Sequence, residues 1–178
     1  MVMQMTDQPV IEAERCTLRP LRMSDKGLID LYASDERVAM NTTSVPHPLP
    51  PGTTDAFIAR SLSAKRSEDV WVMDATKSGG AELKGLISLE RVDDDQCEIG
   101  YWVAPAFWNT GVASRAVAAL LEANPLNCRT CFASVFQDNA ASARVLTNCG
   151  FEYIGDAETF SVARNAKVAI WTYSRTFG

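Results

Sequence analysis

The chain has 178 residues, 47% of them hydrophobic, with 17 basic and 22 acidic side chains, a net charge of −5 and a pI near 4.9. That suits one domain over residues 1–178 with a sizeable core, and it argues against the basic face a nucleic-acid partner needs. No apolar run approaches the ~20 residues of a membrane span, and the start, Met1 to Asp7, lacks a charged-then-apolar export signal.

Five cysteines, Cys16, Cys97, Cys128, Cys131 and Cys149, are an odd number and fall mostly in apolar segments. They read as reduced thiols of a cytoplasmic protein. Cys128-x-x-Cys131 has no second pair, and the one histidine is His47, so no zinc site is expected.

In chain order, Met1 to Pro9 reads as a loose leader and Cys16 to Leu21 as a strand. Ser24 is expected to cap a short helix to about Ala33, with Leu28, Leu31 and Tyr32 as its apolar stripe. The run Val45-Pro46-His47-Pro48-Leu49-Pro50-Pro51-Gly52 excludes regular structure. A helix from Thr54 to Ser63 follows, with Phe57, Ile58 and Leu62 inward. Val70–Ala75, Glu82–Val92 and Gln96–Val103 read as antiparallel strands joined by Ser78-Gly79-Gly80 and Asp93-Asp94-Asp95. The triple Asp reads as a solvated turn rather than a metal site. A helix from Thr110 to Glu122 buries Val112, Ala116, Val117, Leu120 and Leu121. The Cys131–Phe136 strand, a helix opened by Asn139, and strands near Glu152–Glu158 and Ala166–Ser174 complete an α+β pattern with a mixed, mostly antiparallel sheet. No internal repeat is present.

The richest segment is Glu98-Ile99-Gly100-Tyr101-Trp102-Val103-Ala104-Pro105 followed by Trp108-Asn109-Thr110-Gly111-Val112-Ala113-Ser114. A strand runs through a turn into a helix whose first residues are small. Open amides at the helix start and the positive dipole end suit a phosphate, and Glu98 heads the strand as a possible base. A plain capped helix, with Asn109 or Thr110 as the cap, fits the local sequence as well. A second segment, Asn139-Ala140-Ala141-Ser142, follows the Cys131 strand, and its helix ends at Gly150-Phe151. Ser142 either faces a ligand with Asn139 or only bonds back to the cap.

Together the order Glu-Ile-Gly-Tyr-Trp-Val, glycine turn, Asn-x-x-Ser and Gly-Phe resembles the GNAT acyltransferase superfamily. Within it, the chain resembles the Rim-type ribosomal-protein N-terminal acetyltransferases. Thr17-Leu18-Arg19-Pro20-Leu21 and Gly85-Leu86-Ile87-Ser88-Leu89 resemble that branch's strands, and the likeness runs from Thr17 to Phe177. It implies about seven strands and about four helices. The family's turn usually reads Arg/Gln-x-x-Gly-x-Gly/Ala. Here Trp108 holds the first place and Asn109 that of an extra glycine, while Gly111 and Ala113 match. Where many relatives carry an acid after the turn stands Arg115. Where other branches use a tyrosine to protonate the leaving thiolate stands Leu146.

The resemblance implies acetyl-CoA as donor. Its pyrophosphate would sit on the amides of Asn109, Thr110, Gly111, Val112, Ala113 and Ser114. Its pantetheine arm would lie along Trp102 and Val103 as a short added strand, with a Val103 N–H near the thioester oxyanion. Asn139 would bond the pantetheine, Ser142 would lie near the sulfur, and Glu98 would take a proton from the amine or stand as a surface carboxylate. The acceptor is expected to be a protein α-amine or a small amine, shaped by the loop around His47 and the last hairpin; His47 is either a loop residue or a base. A homodimer is carried as a further expectation. Two other classes remain open: a non-catalytic acyl-CoA-binding module and a nucleotide-binding domain on the Gly111 turn. The second lacks a P-loop lysine and an acidic ribose partner.

Overall fold

The computed structural model describes residues 8–177. Its elements are β1 (Ile11–Ala13), β2 (Cys16–Pro20), α1 (Lys26–Ala33), α2 (Glu36–Ala39), α3 (Thr53–Leu62), β3 (Glu68–Asp74), β4 (Gly85–Arg91) and β5 (Gln96–Val103). They continue with α4 (Val112–Ala123), β6 (Thr130–Phe136), α5 (Ala140–Asn148), β7 (Glu152–Ser161) and β8 (Ala166–Thr176). The strands form one 8-stranded sheet in the order β1-β2-β3-β4-β5-β6-β8-β7. Every neighbouring pair is antiparallel except β5 with β6. This is the α+β architecture the sequence implies, with β1 and the one-turn α2 added to the expected elements.

Helices cover both faces of the sheet. Leu120, Val117 and Ala116 of α4 and Leu146 of α5 pack on Ile87, Ile99 and Cys131 on one side. Ile29 and Ala33 of α1 and Ile58 of α3 pack on Val70, Val72 and Leu86 on the other. All five residues expected on the buried face of α4 are buried. The two small helices depart from expectation. Ser24 lies inside a 3-10 turn, Met23–Asp25, so it is not the cap of α1. Ile29 and Ala33 are buried, Leu28 and Tyr32 of the expected stripe are partly buried against the same core, and Leu31 is 63% exposed. In α3, Ile58 and Ser61 face inward and Leu62 is exposed.

The expected loose leader lies outside the described residues up to residue 7. Its last two residues are held: Gln8 donates to the Val70 carbonyl at 2.6 Å, and the Trp71 indole donates to the Pro9 carbonyl at 2.8 Å.

A buried ion cluster joins the first strands. Arg19 donates through Nε to Asp74 at 2.7 Å and through its other nitrogens to both oxygens of Asp25, at 2.8 and 3.0 Å. Asp25 is fully buried and also accepts from the Arg22 amide at 2.7 Å. Such a group is costly to break, because the partner left behind keeps a buried, uncompensated charge. Asp25→Ala is therefore expected to lower unfolding free energy by about 3–5 kcal/mol, measured by denaturant titration against wild type.

Candidate active site

β5 and β6 share the register pairs Gln96–Thr130, Cys97–Cys131 and Glu98–Phe132, and no others. β5 runs on to Val103 and β6 to Phe136, so beyond Glu98 the two strands part. The opening is a cleft of about 1210 Å³ that passes from one face of the sheet to the other.

The backbone of β5 along this opening follows from its pairing with β4. Val92 donates to Gln96 at one end and Ala104 donates to Lys84 at the other, both at 2.9 Å or less. Antiparallel pairs alternate between bonded and non-bonded positions. Gln96, Glu98, Gly100, Trp102 and Ala104 thus spend their backbone groups on β4. Tyr101 and Val103 turn theirs toward the gap. The Val103 carbonyl accepts the Trp108 indole N–H at 2.7 Å. The Trp102 backbone, expected to serve a ligand, is engaged with β4, and its side chain packs toward α1 and α3.

Below the gap lies the turn. Asn109 and Gly111 both have left-handed backbone, at φ 61° and 81°. Gly111 is itself the N-cap of α4, so neither Asn109 nor Thr110 caps it, and the helix begins at Val112. A glycine is required there because other residues resist that φ. Asn109, Thr110, Gly111, Val112, Ala113 and Ser114 all line the cleft. The first amides of α4 have no acceptor one turn earlier, and the helix dipole adds positive potential. Two guanidiniums lie beside the turn: Arg37, paired with Asp35 at 2.8 Å, stacks 5.9 Å from the Trp108 ring centroid, and Arg115 braces the turn by donating to the Thr110 carbonyl at 3.1 Å.

On the far side of β5, alternation puts Glu98 on the α1/α3 face. Its register partner is Glu90, whose own partner is Glu68, so three carboxylates line the cleft in one row. Glu98 is solvent-exposed on the cleft wall; partial desolvation there raises its carboxyl pKa, and the neighbouring charges of Glu90 and Glu68 add to the rise, opposed by a hydrogen bond from Ser134. Burial does the same to Glu68, against the 2.9 Å hydrogen bond from Ser88.

α5 meets the gap from the other face. Asn139 caps it, its side chain accepting from the Ser142 amide at 3.3 Å. The Ser142 hydroxyl is not used for capping. It lies 2.7 Å from the Tyr101 hydroxyl. Leu146 is fully buried in the core. Tyr101 lines the cleft and is passed over by sequence reasoning, although it sits inside the motif. Strand alternation alone sets it opposite Glu98, on the α5 side.

The end of the cleft near the β7–β8 turn is closed by contacts that the sequence does not announce. Val162 at the β7–β8 turn donates to the Thr43 carbonyl at 3.0 Å. Arg164 donates to the Met40 carbonyl at 2.9 Å and to Asp138 at 2.7 Å, and stacks on Phe136 at 4.5 Å. Thr43, Val45 and Thr159 line the cleft there; His47 does not. Among the described residues no group of His, Cys, Asp or Glu is arranged to hold a metal ion, and no helix is long and apolar enough to cross a membrane.

Comparison with known proteins decides what this arrangement belongs to. The family model "Acetyltransferase (GNAT) domain" matches residues 15–152. The chain belongs to the GNAT acetyltransferase family. As a GNAT protein it is an acyltransferase. It is 25% identical over 174 residues to the uncharacterized N-acetyltransferase p20 of Bacillus licheniformis, covering 90% of this chain and 92% of p20. Among solved structures, its fold is similar to the ribosomal α-N-protein acetyltransferase RimL in complex with coenzyme A. That match has a TM-score of 0.81 at 16% identity, covering 95% of this chain and 98% of that one. It is also similar to spermidine N-acetyltransferase from Vibrio cholerae in complex with CoA and spermine, at TM-score 0.77 and 16% identity, covering 92% and 96%.

Two outcomes test the GNAT site. Gly111→Asp places a carboxylate at the anion-facing turn of this acetyltransferase and forces an aspartate into left-handed backbone, at a cost of about 1–3 kcal/mol. Saturating coenzyme A, at about 100 times its dissociation constant, should stabilise wild type by ~2.7 kcal/mol. In the variant that stabilisation should vanish, as read by thermal melting. The second concerns Glu68. A carboxyl raised by folding binds more protons in the native state than in the unfolded one. Its charging therefore costs stability as pH climbs from ~4.3 through the raised native value. Glu68→Gln should stabilise the protein at pH 7 and flatten the stability curve across that interval, measured by urea unfolding at a series of pH values.

Proposed function

We propose that this protein transfers the acetyl group of acetyl-CoA to a primary amine, either a protein α-amine or a small amine. The observation that carries this reading is Glu98. It stands where β5 leaves β6, on the opposite face from Ser142, in a setting that lifts its proton affinity. An amine must lose its proton before it attacks. A carboxylate with raised pKa is a better general base near neutrality than a free one.

In this reading the pyrophosphate rests on the amides from Asn109 to Ser114, and Asn139 and the strand groups of Tyr101 hold the pantetheine amides. The Val103 N–H supports the carbonyl oxygen as it gains charge. The amine enters from the Glu98 side and attacks the carbonyl carbon. Its proton passes to Glu98 directly or through water, and the thiolate departs beside Ser142.

The likeness to RimL supports assignment to the Rim-type branch and an α-amine acceptor. An α-amine titrates near ~7.7–8.0 against ~10.4 for lysine, so it needs less help to become nucleophilic at pH 7. The row Glu68–Glu90–Glu98 favours a second reading, an acceptor carrying a second ammonium group. The neighbour bound to spermine supports it. A non-catalytic CoA-binding module does not require a proton acceptor at Glu98.

The test is turnover of acetyl-CoA with a peptide bearing a free N-terminus and no lysine, a blocked peptide with internal lysines, monoamines, and spermidine. Acetylation of the free N-terminus, the monoamines or spermidine is expected; modification of the blocked lysine peptide alone overturns the acceptor assignment. Glu98→Gln should lower turnover ~10²-fold at neutral pH and converge on wild type as pH nears the amine's own pKa. Wild-type activity should rise with pH through the elevated Glu98 value, because the base must be ionised to act.

A further inference from the structure

The turn between β7 and β8 is tied to a segment 119 to 124 residues earlier in the chain. That segment, residues 40–46, is an irregular strap after α2, and residues 41–46 line the cleft. Three donors from the turn hold it by its carbonyls. Arg164 Nε donates to Met40 at 2.9 Å, the Ser161 hydroxyl to Thr42 at 3.5 Å and the Val162 amide to Thr43 at 3.0 Å. A carbonyl only accepts, so each direction is fixed. Ser161 is fully buried and accepts the Arg164 amide at 3.2 Å, which closes the turn on the same hydroxyl.

Arg164 is the centre of this clamp. Its other two nitrogens donate to both oxygens of Asp138 at 2.7 and 3.1 Å, and its guanidinium carbon lies 4.5 Å from the Phe136 ring centroid. The hydrogen bond from Arg164 holds the Asp138 carboxyl below its usual range. Arginine suits the place because its rigid fork serves two partners at once while its face stacks on a ring. Register fixes where the resulting wall stands. Phe132 is the partner of Glu98, and Phe136 follows it by four residues, so alternation puts Phe136 on the Glu98 face. Ile170, the partner of Phe136 on β8, shares that face. At about 3.3 Å per residue the wall stands ~13 Å along β6 from the Glu98 position. Its cleft-lining side chains Phe136, Ile170 and Val45 are apolar.

We propose that Arg164 sets the length of the amine acceptor: by clamping the strap to the β7–β8 turn and to Asp138, it fixes an apolar end wall on the Glu98 side of the cleft. This rests on the acetyl-transfer reading. Arg164 is a positioning residue; it touches no substrate, and the wall that it holds does the selecting. An amine whose carbon chain reaches the wall gains apolar contact with each added carbon. A longer chain must push the strap aside, which costs the three hydrogen bonds to its carbonyls and strains the Arg164–Asp138 pair. With the clamp removed, the strap yields and the limit moves outward.

The experiment measures kcat and KM of the full-length protein for linear primary amines from propylamine to decylamine at saturating acetyl-CoA. In wild type, kcat/KM should rise with chain length and then fall at a defined length. Arg164→Ala and Arg164→Lys should leave propylamine, which is too short to reach the wall, unchanged. They should raise kcat/KM for amines beyond the wild-type limit about tenfold relative to propylamine, through KM rather than kcat. Asp138→Asn should move the limit the same way by less, and it carries the test if the arginine variants fail to fold. The melting shift produced by coenzyme A should match wild type in every variant. Length profiles that superimpose on wild type overturn the proposal. So does a uniform fall for all amines, which a purely structural role predicts, or a lost coenzyme A shift. A wild type that acetylates none of the series overturns it as well. Acetylation of a peptide N-terminus alone would then leave the acetyl-transfer reading standing, and acetylation of no amine at all would discard both.

Discussion

The site exists because two parallel strands stop pairing. β5 and β6 share a register only as far as Glu98 and Phe132, yet each continues by several residues. A strand edge inside a sheet is normally filled, because unpaired backbone groups away from water are costly. Here the gap opens into a cleft, so the N–H and C=O groups facing it stay solvated until a ligand supplies partners. A chain of amides such as pantetheine is suited to that edge, and an added strand completes it. The protein takes one acceptor back for itself, the Val103 carbonyl, with the Trp108 indole. That contact pins the start of the turn to the end of β5 and sets the distance between strand edge and helix amides.

Strand alternation then divides the chemistry. Glu98 and Trp102 face α1 and α3, whereas Tyr101 and Val103 face α4 and α5. Between the two large side chains stands Gly100, where an added Cβ would lie 3.5 Å from Ser88 Oγ. The missing side chain leaves open space on that face between Glu98 and Trp102. A thioester held along β5 would present one side to the carboxylate row and the other to the Tyr101–Ser142 pair. In the proposed reaction, proton removal would fall on one face of β5 and thiolate departure on the other.

Much of this was legible in residue order. The buried face of α4 follows from its period, and Gly111, Asn139 and Gly150 mark helix limits through backbone chemistry that few residues share. The small helices were misread because Ser24 is a good cap by type, while the chain instead makes a 3-10 turn locked by the Arg19–Asp25 pair. That pairing is tertiary and leaves no local trace. Glu68 and Glu90 escaped for the same reason: a cross-strand row depends on register, and register is fixed by turns and core packing rather than by the acidic residues themselves. Tyr101 was readable from period 2 alone, given the position of Glu98.

Charge explains how an acidic chain can hold an anionic donor. The net charge is −5, but at physiological ionic strength exposed charges are screened over ~8 Å. A phosphate placed at the α4 turn would therefore respond to what touches it: open amides, the dipole end, and the guanidinium of Arg115 beside the turn. The negative potential acts instead at the far mouth of the cleft, where Glu68, Glu90 and Glu98 stand in one row with raised proton affinity at two of them. Raised affinity means that the site resists full ionisation until a cation compensates it. An ammonium entering beside Glu98 would restore the carboxylates' charge and, in the same contact, meet the group able to remove its proton. In the proposed reaction, the potential that would draw an amine acceptor is built from the same residues that would prepare it to react.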